Sequence, residues 1–175
     1  NSYLGANITY DFNPNTEVVD ASVISQWVIV DADMNVTFNQ EAVKEYIAAL
    51  ATKYNTKGKP RQFTTATGNT VTVEGGGYGW KIDQAAEAAQ LSQEIQSGTQ
   101  TTREPVYSQT ANSYGVNDLG DTYIEVDLSE QHMYYYQNGS DIFESDFVSG
   151  NMSYADRQTH AGIFTLYYKK SPDVL

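Results

Sequence analysis

The sequence predicts an α+β chain in two parts: a small helix-and-strand N-terminal domain, residues 1–115, then the first strands of a β-rich, sandwich-like domain, residues 120–175. Three observations predict it. Gln40 to Tyr54 and Gln84 to Ser97 carry apolar residues at helical spacing behind a capping side chain. From Asp121 onward, apolar and polar residues alternate at period two and an Asn-Gly turn follows. Between these regions, Thr110 to Gly120 is rich in Ser, Asn and Gly and loses apolar periodicity, which places the boundary there.

Taken in order, Asn7 to Phe12 reads as a strand and Asn13-Pro14-Asn15 as a turn. Asp20 can cap a short helix, Ala21 to Gln26, that turns Ile24 and Trp27 inward. Trp27 to Val30 then reads as a buried strand. Asp31-Ala32-Asp33-Met34-Asn35 has the Asp-x-Asp-x-Asn spacing of a calcium loop. An EF-hand needs Gly at the sixth position and Glu at the twelfth, where Val36 and Ala42 stand, so an acidic turn is expected. Val36 and Phe38 form a short strand. Asn39 caps the clearest helix, whose stripe is Val43, Ile47, Leu50 and Tyr54, and Gly58 and Pro60 end it.

Arg61 to Thr65 and Asn69 to Glu74 read as two strands around Thr67-Gly68-Asn69. Gly75-Gly76-Gly77 suggests a phosphate cradle, but no Gly-Lys-Ser/Thr follows, and a flexible turn is the simpler reading. Tyr78 and Trp80 are the candidate substrate-binding residues, since exposed aromatics stack on sugar rings; packing on the Ala-rich helix that follows is the competing reading. Asp83 caps that helix, with Ala88, Leu91 and Ile95 as its stripe and Gly98 past its end. Gln100 to Tyr107 reads as one more strand.

In the second part, Ile124, Val126 and Leu128 alternate with Glu125 and Asp127, so the carboxylates are expected on a solvated face. Met133 to Tyr136 is an aromatic strand, Asn138-Gly139 a type I′ hairpin turn, and Phe143 to Val148 the returning strand. A meander results.

Charge and composition exclude several functions. The net charge is −12 and both parts are acidic, a surface that repels phosphate backbones and argues against nucleic-acid binding. No run approaches the roughly 20 apolar residues of a membrane span. With no cysteine, disulfides, thiolate-zinc sites and thiol catalysis are unavailable to these residues. The two histidines, His132 and His160, lack the i, i+4 pairing of a zinc helix, and no Gly-x-Ser-x-Gly elbow accompanies them. Glu125 and Asp127 share a strand face, which permits glycosidase-like chemistry, but their alternation with apolar residues favours solvation. No metal and no cofactor is expected.

Two stretches carry a family resemblance. Asn117-Asp118-Leu119-Gly120-Asp121-Thr122-Tyr123-Ile124-Glu125-Val126-Asp127-Leu128, then Gln131-His132-Met133-Tyr134-Tyr135-Tyr136 and the Asn-Gly turn, resembles the opening of an L,D-transpeptidase (YkuD-type) catalytic domain. The family continues through Thr-Pro-x-Gly-x-Phe, which reads Thr159-His160-Ala161-Gly162-Ile163-Phe164 here, with His for Pro. Upstream, Phe63-Thr64-Thr65, Gly68-Asn69-Thr70-Val71 and Gly77-Tyr78-Gly79-Trp80-Lys81-Ile82-Asp83 resemble the peptidoglycan-binding domain that precedes such catalytic domains.

The resemblance implies a bacterial transferase of cell wall biogenesis. It would act on the extracellular side of the cytoplasmic membrane, with peptidoglycan stem peptides or glycan as partner and room for a membrane anchor upstream of residue 1. It also implies a catalytic His and a Ser-His-Gly-Cys motif downstream of Leu175, so residues 1–175 hold no catalytic residue and are expected to be inactive alone. A wall-binding or adhesive module without catalysis is the competing class.

Overall fold

The structure is a computed structural model, and it describes residues 3–115, 117–151 and 153–169. The outer limits of both expected domains fall on residues 1–2 and 170–175, outside the described residues. The chain forms two compact units: Asn1–Thr56 with Trp80–Thr110, and Lys57–Gly79 with Ala111–Leu175. The second junction lies within the Thr110–Gly120 stretch. The difference from a linear division is Lys57–Gly79, which groups with the second unit.

In the first unit, β1 (Asn7–Phe12) lies between β2 (Asn15–Val19), antiparallel, and β8 (Gln100–Arg103), parallel. Its alternation turns Ile8, Tyr10 and Phe12 inward. Short α1 (Ala21–Ile24) starts on Asp20, whose carboxylate accepts from the Ser22 and Val23 amides at 2.9 and 3.3 Å. Ile24 and Trp27 are buried, as the spacing requires. Helix α2 (Gln40–Tyr54) is capped by Asn39 and buries Val43, Ile47, Leu50 and Ala51. Helix α3 (Gln84–Ser97) is capped by Asp83 and closed by Gly98 at φ 68°, and it packs Ala88, Leu91 and Ile95 on the same core. Each such Ile, Leu or Val taken from water stabilises the unit by about 1.5–3 kcal/mol.

Several expectations fail here. β3 (Val28–Val30) and β4 (Val36–Phe38) form a small hairpin in which Ile29 and Val30 are exposed rather than buried. The expected strand over Gln100–Tyr107 breaks at Glu104-Pro105, since proline has no amide to donate to a ladder. Its two halves serve different sheets: β8 joins β1, and β9 (Tyr107–Gln109) pairs with β7 (Lys81–Ile82). Neither β2 nor β7 carries an apolar alternation that would have announced it.

One buried charge organises this unit. Glu87, on the core face of α3, accepts from the Tyr10 hydroxyl at 2.6 Å, the Val106 amide at 2.6 Å and both terminal nitrogens of Arg103 at 2.7 and 3.0 Å. Arg103 also reaches Glu94 at 2.8 Å. Full satisfaction is what makes a carboxylate tolerable there. Burial, then the Glu87 charge, push the Tyr10 hydroxyl pKa up.

In the second unit, β5 (Arg61–Thr64) and β6 (Thr70–Val73) form a hairpin. The meander runs β10 (Tyr123–Asp127), β11 (His132–Gln137) and β12 (Ser140–Asp146), in order β10-β11-β12. Asn138 and Gly139 sit at φ 50° and 77°, the left-handed pair that a type I′ turn needs.

Candidate functional site

In the second unit, the geometry around Tyr78 begins with Arg61 and Asp118. The guanidinium donates from Nε and Nη2 to the two Asp118 oxygens at 2.6 and 2.7 Å, and both side chains are buried. The remaining Arg61 donors reach the carbonyls of Lys59 at 2.8 Å and Tyr78 at 3.4 Å. A planar fork and a carboxylate make such a pair directional as well as strong.

Tyr78 completes this cluster. Its hydroxyl donates to the Asp118 carbonyl at 2.7 Å and accepts from the Asn112 amide at 2.8 Å, while the Arg61 guanidinium lies 5.5 Å from its ring centre. Burial raises its pKa. Trp80, in the first unit, is 7% exposed and packs on Tyr107 with ring centres 4.7 Å apart. Its backbone pairs with Thr56 in both directions. The Tyr78 hydroxyl is thus hydrogen-bonded on both sides.

The meander's faces are the reverse of what alternation predicts. Glu125 is 9% exposed and accepts the Ala66 amide with both oxygens at 3.0 Å. Burial raises its pKa, opposed by that amide. On the same face Tyr123 packs edge-on against Phe63 at 5.6 Å and stacks on Tyr136 at 4.9 Å. The opposite face aligns Ile124 with Tyr135 and Phe143, and Val126 with Met133. Ile124 is 50% exposed and Phe143 55%. The β5–β6 hairpin packs on Tyr123 and Glu125 of the polar, aromatic face, while Ile124, Val126 and Phe143 on the other face are exposed.

Both carboxylates of the Glu125–Asp127 pair accept backbone amides. Asp127 accepts the Ser129 and Glu130 amides at 2.8 and 3.0 Å and so fixes the following turn. His132 places Nδ1 2.7 Å from Asp146 and Nε2 3.5 Å from Glu144, carboxylates rather than a serine hydroxyl. His160 is exposed. Among the described residues no group of three or more His, Cys, Asp or Glu is placed to hold a metal ion. The calcium-like spacing is an Asx turn, in which Asp31 accepts from the Asp33 and Asn35 amides and the Asn35 side chain.

The glycine run is not a flexible turn. Gly76 bridges Ile163 in parallel, the Ile163 amide donates to Gly75 and the Tyr78 amide to Ile163, each at 3.2 Å. Sequence reasoning had no signal for this pairing, because the partner lies far along the chain.

Comparison with known proteins then decides the family. Residues 1–103, more than half of the chain, match the family described as "Putative peptidoglycan binding domain". The chain belongs to that peptidoglycan-binding family. Residues 121–174 match the family described as "L,D-transpeptidase catalytic domain". Two solved structures are similar at 35% identity and a TM-score of 0.67, each covering 92% of this chain. They are the Ldtfm enzyme in its avibactam carbamoyl form and a cysteine-to-serine mutant of the Enterococcus faecium L,D-transpeptidase. The chain covers 62% and 63% of those chains, so it spans less than two thirds of their length. No curated protein matches it. The fold is α+β, like theirs.

Proposed function

We propose that the chain is the wall-binding domain and the start of the catalytic domain of an L,D-transpeptidase that cross-links peptidoglycan outside the cytoplasmic membrane. One observation carries this: a structural likeness to an L,D-transpeptidase spans 92% of the chain at 35% identity, across both matched stretches of this chain.

In such chemistry a cysteine thiolate attacks the carbonyl of the L,D bond in a donor stem peptide. A thioester forms as the terminal D-amino acid leaves with its amine protonated. An acceptor amine then attacks the thioester, forming the new amide and returning the thiol. Backbone amides aimed at the carbonyl oxygen would stabilise the tetrahedral oxyanion. The acidic surface, at net charge −12, suits a partner whose acceptor groups are amines.

The 175 residues contain no cysteine, so no thioester can form on them. Incubated with a disaccharide-tetrapeptide, the 175-residue chain should release no D-alanine, measured by coupled oxidation or mass spectrometry. Release above buffer would overturn the thiolate route for this protein.

A further inference from the structure

Gly75, Gly76 and Gly162 meet backbone to backbone, and the contact leaves no space for a Cβ on Gly76 or Gly162. A Cβ on Gly76 would stand 2.1 Å from the Ile163 carbonyl oxygen, and one on Gly162 would stand 2.7 Å from the Gly76 nitrogen and 2.8 Å from the Gly75 carbonyl carbon. Such distances leave no room for any residue but glycine on either strand. We propose that Lys57–Gly79 is an internal brace of the catalytic-domain unit that fixes the backbone of residues 159–164. The proposal rests on reading residues 121–174 as the start of a catalytic domain.

The brace is tied down at separate points along its length, all within the second unit. At its start Arg61 forms the buried bidentate pair with Asp118. At its hairpin, Phe63 packs on Tyr123 and the Ala66 amide meets Glu125. At its end, Tyr78 binds the Asp118 carbonyl through its hydroxyl and Ile163 through its amide. The meander's polar face is covered by this segment, which explains why Glu125 points inward.

The consequence concerns modularity. Lys57–Gly79 lies wholly inside the stretch matched by the peptidoglycan-binding family, residues 1–103. The catalytic-domain unit is therefore completed by a segment encoded within the wall-binding domain. The two are not exchangeable at residue 115: a catalytic half joined to a foreign wall-binding domain would lack its brace.

Hydrogen exchange on the 175-residue chain tests this without reference to wall binding or catalysis, so its failure is distinct from failure of the functional reading. In the unsubstituted chain the Ile163 and Tyr78 amides should be protected at least about tenfold over the unstructured rate. Gly76→Ala should abolish that protection while amides of β1 keep theirs. Gly68→Ala is the matched control: Gly68 also sits at positive φ, 84°, but a Cβ there meets nothing within 4 Å. It should leave Ile163 protected. Unprotected Ile163 in the unsubstituted chain would overturn the proposal, even if Gly76→Ala fails to fold. Equal loss in Gly68→Ala and Gly76→Ala would overturn it as well.

Discussion

Asp118 is 1% exposed and its two oxygens face two Arg61 nitrogens, so removing the carboxylate strands a buried cation. Asp118→Ala should destabilise the second unit by about 3–5 kcal/mol, the cost of an uncompensated buried charge. Urea unfolding followed by amide signals should show that loss in residues 57–79 and 111–169, with the first unit's transition unmoved. His132 gives the opposite case, an exposed pair that pH can break. The Asp146 hydrogen bond, aided by Glu144, holds its imidazole pKa above the ordinary 6.5. A pKa raised in the folded state contributes stability that is fully present below about pH 6.5 and lost as pH rises through the folded value. NMR titration should place His132 above 6.5, and Asp146→Asn should move it back down.

At the scale of elements, α2 and the meander bury apolar side chains very differently. Ile47 of α2 is fully buried, and Ile47→Ala should cost about 2–5 kcal/mol. Phe143 on β12 is half exposed, and Phe143→Ser should leave stability of the 175-residue chain within about 0.5 kcal/mol while lowering its binding of ANS. Thermal melts and dye fluorescence read both. The helices were legible because their signals are local: Asn39 and Asp83 cap, and a stripe at helical spacing follows each. The meander's strands and turn were legible for the same reason, but the covered face was not. Period two says that Ile124 and Glu125 point to opposite sides, and only the hairpin bearing Ala66 decides which side is covered. Pairings across long separations, β1 with β8 and Gly76 with Ile163, leave no trace in local pattern. Of the candidate site residues, Tyr78 and Trp80 were visible as an aromatic pair, but their commitment to Asp118, Asn112 and Tyr107 was not.

For the whole molecule, the proposed function commits the chain to one partner, the cell-wall polymer. The first unit has its own core, built around β1, α2 and α3. Co-sedimentation of the 175-residue chain with purified, protein-free peptidoglycan sacculi is the most direct test of the account. It predicts saturable pelleting that soluble muropeptides compete away and that cellulose does not reproduce. A chain that stays in the supernatant at every sacculus concentration, or that pellets equally with cellulose, would contradict it.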